Sequence, residues 1–453
     1  MELAMPSTSP MISLNDWLQS TPTLTCVPDD DLRALTQYIG ASNALLDILG
    51  HKRERTPQQA SEAGSIHAAC RALRSRFLEL HADWLYSVLT SNGSTRLSLD
   101  EIAKDAADRC SGLVPTSAQM SRERACLQKD KEGFEIDQGM LFHALLHSKS
   151  SGTHIVETAL QPTPRSILLL DELREKTRLD LGSVALERIG HAAHLTINNS
   201  SCLNAEDERL VDDLETAADL TILDDAVKVC VLRGGVMTSP RYAGKRVFSA
   251  GINLKKLHQG EISLIGFFLR REFGFINKIV HGLLVPDKIA GSSTRGDLKS
   301  IPGKPWIGVV DSFAIGGGAQ ILLALDYVIA ATDSYFNLPA AREGLVPGFA
   351  NLRLSRFVGA RKSRQLLFAG NKLWASGPYS ELIFDEVVDS SDIECAIDRS
   401  VDTLSGPAVR ANRRLLINAE EPLEHFRYYA AEFALIQAQR LYSADLLSKV
   451  TPT

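Results

Sequence analysis

Three short apolar runs, Val227–Arg233, Trp306–Val310 and Tyr327–Ala331, constrain this chain more than any other feature. Each is too short for a helix, and the side chains on both of its faces are apolar. That is the pattern of a strand buried in the middle of a parallel sheet. Helical patterns lie between and around them. Residues Ala205 to Thr221 carry Leu210, Leu214, Ala217 and Ala218 on one side. Strands alternating with helices need crossover connections, which predicts an α/β sheet. Ahead of the runs, Val184–Ile189 and His194–Asn198 flank Gly190 and predict a β-hairpin. The stretch Pro286–Pro305 is rich in Gly, Ser and Pro and predicts a loop.

The flanks read as helical. Thr56-Pro-Gln-Gln59 has the form of a capped start, since Thr56 can accept from a free N–H and Gln59 can reach back. Ile66, Ala69, Leu73, Phe77, Leu80, Trp84 and Leu89 then recur at helical spacing. Ser98-x-x-Glu101, Thr116-x-x-Gln119 and Thr163-Pro164 mark further helix starts. From Asp392 to Val450 the pattern is helical again, through Leu415, Leu416, Phe426, Phe433, Leu435 and Leu441. A chain of 453 residues exceeds what one core usually holds. The organisation expected is a helical region over 1–180, an α/β core over 181–390 and a helical segment over 391–453.

Composition excludes some partners. A net charge of −6 is small for this mass and gives no basic field for nucleic acid. The seven cysteines are scattered without CxxC spacing, which predicts reduced thiols in a cytoplasmic protein. Met1–Pro10 lacks the basic and apolar regions of a signal peptide. The longest apolar stretch, Ile307–Ala331, contains Asp311, Gln320 and Asp326, so no membrane span is expected. His143 and His147 stand one turn apart and read as a helix face, with no metal expected.

Two glycine-bearing turns carry the chemistry. One is Phe248-Ser-Ala-Gly-Ile-Asn-Leu254; the other is Asp311-Ser-Phe-Ala-Ile-Gly-Gly-Gly-Ala-Gln320, which leads from the Trp306–Val310 run into an apolar helix. Glycine lets backbone approach a ligand closely, and a helix start leaves N–H groups without partners. Such a turn suits an oxyanion, although a bare triplet equally fits a tight strand-to-helix junction. The triplet matches neither the P-loop, for want of a following Lys-Ser or Lys-Thr, nor the GxGxxG fingerprint.

The order of segments is more specific than either turn. Leu232-Arg-Gly234, the Phe248–Leu254 turn, Lys304-Pro-Trp306, the glycine triplet, Asp326, Phe336-Asn-Leu-Pro339 and Gly344-Leu-Val-Pro-Gly348 follow one another. This order resembles the enoyl-CoA hydratase/isomerase (crotonase) superfamily over roughly residues 183–450. The resemblance implies a crotonase-like α/β spiral of ββα units and an acyl-CoA substrate. It also implies an oxyanion hole made by the N–H groups of Ile252 and Gly317. Two departures stand out. The family's hydratases carry glutamates at the positions of Gln320 and Ala340, and neither residue here can act as an acid or base. A carboxylate from elsewhere in the chain beside Ala340 would bring hydration back into play.

Further segments resemble the cofactor-independent oxygenase branch of that superfamily, found in dihydroxyphenylglycine supply for glycopeptide-type antibiotics. They are Arg233–Gly244, Phe248–Leu257, Leu269-Arg-Arg-Glu272, Ala314–Gln320 and Pro347–Leu352, with the helical N-terminal extension and Tyr428–Val450. The resemblance implies a dioxygenase that needs no metal, flavin or haem. A dihydroxylated arylacetyl-CoA would lose its α-proton, and O2 would meet the carbanion. The peroxide formed would expel CoA and leave an arylglyoxylate. Glu206, Arg271 and Gln320 would hold the ring hydroxyls. By themselves Glu206 reads as a solvated carboxylate and Arg271 as a surface ion pair. Ala340 and Leu345, with Ile252 and Leu254, would wall an O2 pocket. Arg241, Tyr242, Ala250, Gly251, Asn253, Leu254 and Lys255, with Lys256, would bind CoA, or form a solvated basic loop. A trimer or a pair of trimers is the implied assembly. Another enolate enzyme, such as a thioesterase, isomerase or hydratase, and a non-catalytic binding protein are the alternative readings. The sequence does not name the base that takes the α-proton.

Overall fold

The apolar runs form the middle of a seven-stranded sheet. The computed structural model describes residues 13–286 and 298–450, so the expectation for Met1–Pro10 lies outside the described residues. In chain order the strands are β1 (Arg178–Asp180), β2 (Val184–Ile189), β3 (Ala192–Ile197), β4 (Val229–Gly234), β5 (Leu283–Pro286) and β6 (Leu298–Ile301). They continue with β7 (Trp306–Val310), β8 (Phe313–Ile315), β9 (Tyr327–Ala331), β10 (Tyr335–Asn337), β11 (Lys372–Trp374) and β12 (Glu386–Val388). The large sheet has the order β1-β2-β3-β4-β7-β9-β12. It is antiparallel across β1, β2 and β3 and parallel from β3 to β12. Every residue of β7 is buried, as a central parallel strand requires.

Three expectations need correction. The helical region ends at Lys176, and Arg178–Asp180 already pairs with β2 at the sheet edge. Three residues are too few to show a periodicity. The loop expected over Pro286–Pro305 begins at the last residue of β5 and contains β6, which pairs antiparallel with β5; residues 287–297 lie outside the described ones. The helix expected from Ala205 begins at Glu208, because the Asp207 side chain accepts from Leu210 N at 3.0 Å and fixes the start there.

A second, small sheet of order β11-β10-β8 takes β8 and β10 from the turns after β7 and β9, and β11 from the segment that follows helix Ala350–Ala369. Its stepwise pairing continues into isolated bridges, Ser249 beside Ala314 and Glu206 beside Ile252, both parallel. Three turns that are far apart in sequence thus lie side by side: the Glu206 turn, the Gly251 turn and the glycine triplet. This staircase positions the site.

Helix Glu208–Leu223 is buried on nearly every side, including its polar residues Asp213, Glu215 and Asp219. They are compensated by cations from other elements. Lys278, with no exposed side-chain surface, reaches Glu215 at 2.7 Å and Asp219 at 3.0 Å. Buried Lys304 donates to the last-turn carbonyls of Thr221 and Asp224, both at 2.6 Å, and burial lowers its pKa to about 8.

The anticipated capping boxes form at Thr56 with Gln59, Ser98 with Glu101, and Thr116 with Gln119. Helices Pro28–Leu49, Pro57–Leu89 and Glu135–His147 share a core that includes Leu35, Phe77, Phe142 and Leu145. Helix Leu423–Leu441 returns to this core with Phe426 and Phe433. Helix Ile393–Leu404 instead covers the outer face of the sheet, placing Ile393, Ala396 and Ile397 on Val229, Ile307 and Ile329.

Candidate active site

Two backbone turns meet at the end of the staircase. Gly251 has φ +87°, and a Cβ there would lie 3.2 Å from Gly317 N and 3.0 Å from the Ile315 carbonyl. The turns touch backbone to backbone, which is why a glycine stands at 251. Neighbouring amides are committed: Glu206 N–H donates to Gly251 O at 2.7 Å, Asn253 N–H to Glu206 O at 2.9 Å, and Gly316 N–H to Asn337 O at 2.9 Å. The N–H groups of Ile252 and Gly317 donate to no described residue. Gly317 opens the helix Gly317–Leu322, and a first-turn amide has no partner inside its own helix.

Both turns border one cavity. Of the residues expected at a site, Glu206, Ala250, Gly251, Ile252, Leu254, Arg271, Gly317, Gln320, Ala340 and Leu345 all line it. Arg241, Tyr242, Asn253 and Lys255 do not. Asn253 caps helix Leu254–His258 by accepting from Lys256 N at 3.1 Å. Lys255 is exposed. Arg241 lies over the Tyr242 ring at 5.5 Å, and Tyr242 packs edge-on against Phe313. Lys256 pairs with Asp207 at 3.0 Å.

Arg271 organises the polar side of the cavity. Its Nε donates to Glu206 Oε2 at 2.5 Å; Nη1 donates to Glu272 Oε1 at 2.7 Å and to Gln320 Oε1 at 3.1 Å; Nη2 donates to the Gly317 carbonyl at 2.8 Å. The guanidinium is therefore largely spent on protein and fixes its neighbours. The Gln320 carbonyl oxygen faces Arg271, which leaves its NH2 as a donor. Among the described residues Glu206 Oε1 has only a long contact, 3.5 Å from the Ser249 hydroxyl, and remains an acceptor. Burial holds the Glu272 carboxyl above its usual range, although Arg271 and Arg353 oppose the shift. Gly348, at φ +45°, makes room: a Cβ there would meet Glu272 Oε1 at 2.3 Å and Gln320 Oε1 at 2.4 Å.

Sequence reasoning missed Phe267, Phe268, Glu272 and Glu343, which also line the cavity. The first three sit on Leu264–Leu269 and Arg271–Ile276, wound as π-helix. An i→i+5 turn displaces side chains from the usual spacing, so an α-helical pattern search does not align them. Glu343 ends the short helix Ala340–Glu343 and stands beside Ala340 after all, three residues on and on the same face. That spacing was a readable signal. Among the described residues the Glu343 carboxyl makes no hydrogen bond and no ion pair within 4.0 Å. Burial raises its pKa, with Lys449 opposing.

Away from the cavity, His143, His147 and Glu432 bring their ligand atoms within 4.8 Å of one another. The contacts they make join two helices: His147 Nε2 to Glu432 Oε1 at 2.8 Å, and His143 Nδ1 to the Ala431 carbonyl at 3.1 Å.

Comparison with known proteins bears on this cavity. Residues 297–396 match the family model described as enoyl-CoA hydratase/isomerase. The chain is 48% identical over 431 residues to a (3,5-dihydroxyphenyl)acetyl-CoA 1,2-dioxygenase of Amycolatopsis orientalis, covering 95% of this chain and 97% of that protein. It is 27% identical over 217 residues to a short-chain-enoyl-CoA hydratase of Clostridium acetobutylicum, covering 48% of this chain and 72% of that protein. A solved enoyl-CoA hydratase from Bacillus halodurans aligns with a TM-score of 0.48 at 18% identity, over 59% of this chain and 99% of that one.

Proposed function

This chain belongs to the enoyl-CoA hydratase/isomerase (crotonase) family, and we propose that it is a dioxygenase converting (3,5-dihydroxyphenyl)acetyl-CoA and O2 to (3,5-dihydroxyphenyl)glyoxylate and CoA. One observation carries the reading: two main-chain N–H groups that donate to no described residue, of Ile252 and Gly317, border the same cavity as the Glu206–Arg271–Gln320 set. The amides take the thioester oxygen as it gains charge in the enolate. Losing one such donor typically raises a barrier by about 2.7–4 kcal/mol. The ring hydroxyls meet an acceptor in Glu206 and a donor in the Gln320 amide, so neither is buried unpaired. Arg271 holds both groups in place.

Hydration needs one group to activate water and another to deliver a proton. The cavity supports it poorly. Glu343 beside Ala340 offers one such group, but Gln320 stands where the second would be needed, and Glu206 and Glu272 are tied to Arg271. Ala340 and Leu345 form an apolar patch on the wall that also carries Glu343, and that patch suits apolar O2 beside the α-carbon. O2 then adds to the carbanion, the peroxide closes on the thioester carbon and expels CoA as its thiolate, and the O–O bond breaks as the second α-hydrogen leaves as a proton, giving the ketone and the carboxylate. The sum balances, with both oxygen atoms in the arylglyoxylate and CoA released as the thiol. No metal or organic cofactor enters this scheme.

Exposed Arg241 and Lys255 offer charge to the CoA phosphates outside the cavity. Exposed Leu415 and Leu416 on helix Pro407–Glu420 offer a face that a homo-oligomer would cover. The test is turnover of (3,5-dihydroxyphenyl)acetyl-CoA with and without air. Oxygen uptake equal to CoA release, with both atoms of 18O2 in the glyoxylate, is expected. Equal CoA release under nitrogen would instead assign a thioesterase.

A further inference from the structure

We propose that Glu343 is the base that removes the α-proton of the bound thioester, an assignment that rests on the enolate-forming reading above. Three carboxyls border the cavity besides the polar amide of Gln320, and two are committed. Glu206 is held by Arg271 at 2.5 Å, and Glu272 is buried on Arg271 at 2.7 Å with Arg353 at 3.8 Å from its second oxygen. Glu343 alone of the three makes no hydrogen bond or ion pair with any described residue. It belongs to the wall that carries Ala340 and Leu345, whereas the oxyanion donors belong to the Gly251 and Gly316–Gly317 turns. A thioester held by those donors would occupy the cavity that Glu343 lines.

The surroundings suit a base. The short helix Ala340–Glu343 packs against helices Ala350–Ala369 and Ala444–Val450. From the first, Arg353 is engaged by Glu421 at 2.6 Å. From the second, Asp445 pairs with Arg440 at 2.5 Å, and Arg440 also donates to the Gly344 carbonyl at 2.7 Å. Lys449 is the remaining cation facing Glu343, and Arg342 on its own helix is exposed. Across the cavity stand the Glu206–Arg271–Glu272 group and Gln320. Burial raises the affinity of Glu343 for a proton, which strengthens it as a base. The alanine at 340 then has a purpose: it leaves space for O2 while the proton acceptor stands one turn along.

In the step itself the α C–H bond breaks and the proton passes to a Glu343 oxygen. The electron pair remains on carbon and delocalises to the thioester oxygen, held by the Ile252 and Gly317 amides. Nothing is oxidised or reduced until O2 arrives. When CoA departs as a thiolate it recovers the proton, and Glu343 returns to its carboxylate.

Proton removal can be measured without oxygen. (3,5-Dihydroxyphenyl)acetyl-CoA deuterated at the α-carbon is incubated anaerobically with enzyme, and loss of deuterium to water is followed by mass spectrometry. Wild-type enzyme is expected to exchange, with a rate that falls as Glu343 is protonated at low pH. Glu343→Gln is expected to exchange at least about 100-fold more slowly, to bind the thioester within a few-fold of wild type, and to lose the acid limb. Glu343→Asp, which keeps a carboxyl, is expected to retain the limb at a reduced rate, and circular dichroism verifies folding of both. Exchange at the wild-type rate in folded Glu343→Gln would overturn the assignment, as would loss confined to Glu206→Gln. If the Gln variant does not fold, an Asp variant indistinguishable from wild type in rate overturns it. The two readings fail separately. Oxygen uptake by wild type with exchange indifferent to Glu343 sinks the base alone. Exchange that depends on Glu343 without any oxygen uptake sinks the dioxygenase and leaves the base.

Discussion

At the scale of single residues, the cavity works by commitment and omission. Arg271 joins Glu206, Glu272, Gln320 and the Gly317 carbonyl in one network, so the groups around the ring are fixed before substrate arrives. Lysine could not replace it, because a single ammonium cannot span four acceptors in a plane. Ala340 acts through what it lacks. Ala340→Glu is expected to fill the apolar wall beside Leu345 and to raise the oxygen concentration needed for half-maximal rate about tenfold or more, with little change in thioester affinity. Steady-state rates at varied O2 check this, and an unaltered oxygen dependence would remove the pocket from the scheme. Gly251 was legible in sequence as a glycine in a turn and Gly348 as part of the family-like segment order; what they make room for was not.

At the scale of elements, caps and ion pairs decide where helices begin. Helix Pro57–Leu89 starts at the Thr56–Gln59 box, and Arg55 just ahead of it reaches Glu132 at 2.7 Å. Burial alone would raise the Glu132 carboxyl, but hydrogen bonds from His67 and Arg55 hold it at about 2, against an ordinary 4.5. A carboxyl depressed in the folded state contributes stability above its unfolded pKa and loses it as pH falls toward the folded one. The shift corresponds to about 3 kcal/mol. Glu132→Gln is therefore expected to lower stability by roughly that amount at pH 7, and the gap should narrow below about pH 4.5. Urea unfolding of both proteins across that range gives the measurement. The capping boxes were readable because their partners lie three residues apart. The π-wound segment Leu264–Ile276 was not, since its spacing fits neither helix nor strand templates.

At the scale of the whole molecule, the two ends of the described chain meet. Helix Leu423–Leu441 buries Phe426 and Phe433 among the N-terminal helices, and Tyr429 from the same helix donates to the Gly348 carbonyl at 3.2 Å. The following helix, Ala444–Val450, inserts fully buried Leu446 beside the turn that carries Glu343 and Gly344. Truncation after Ser443 is expected to leave the bulk of the far-ultraviolet dichroism intact and to lower turnover at least about tenfold, because one wall of the cavity loses its backing. Turnover equal to full-length protein would show that this helix is dispensable to the site.

Sequence by itself determined the elements: buried strands from continuous apolar runs, helix starts from caps, and the two glycine turns, each set by neighbours a few residues away. The family and its missing acids at Gln320 and Ala340 were also legible, because they reside in single positions within a fixed order. Tertiary structure decided the rest. Arg271 meets Glu206 across 65 positions and Gln320 across 49, and the C-terminal helix meets the N-terminal core across more than 280. Such contacts depend on how sheets stack and helices cross, and no local spacing records them. For the same reason Glu343 was visible as a letter one turn from Ala340, but only packing placed it on the cavity wall without a partner among the described residues.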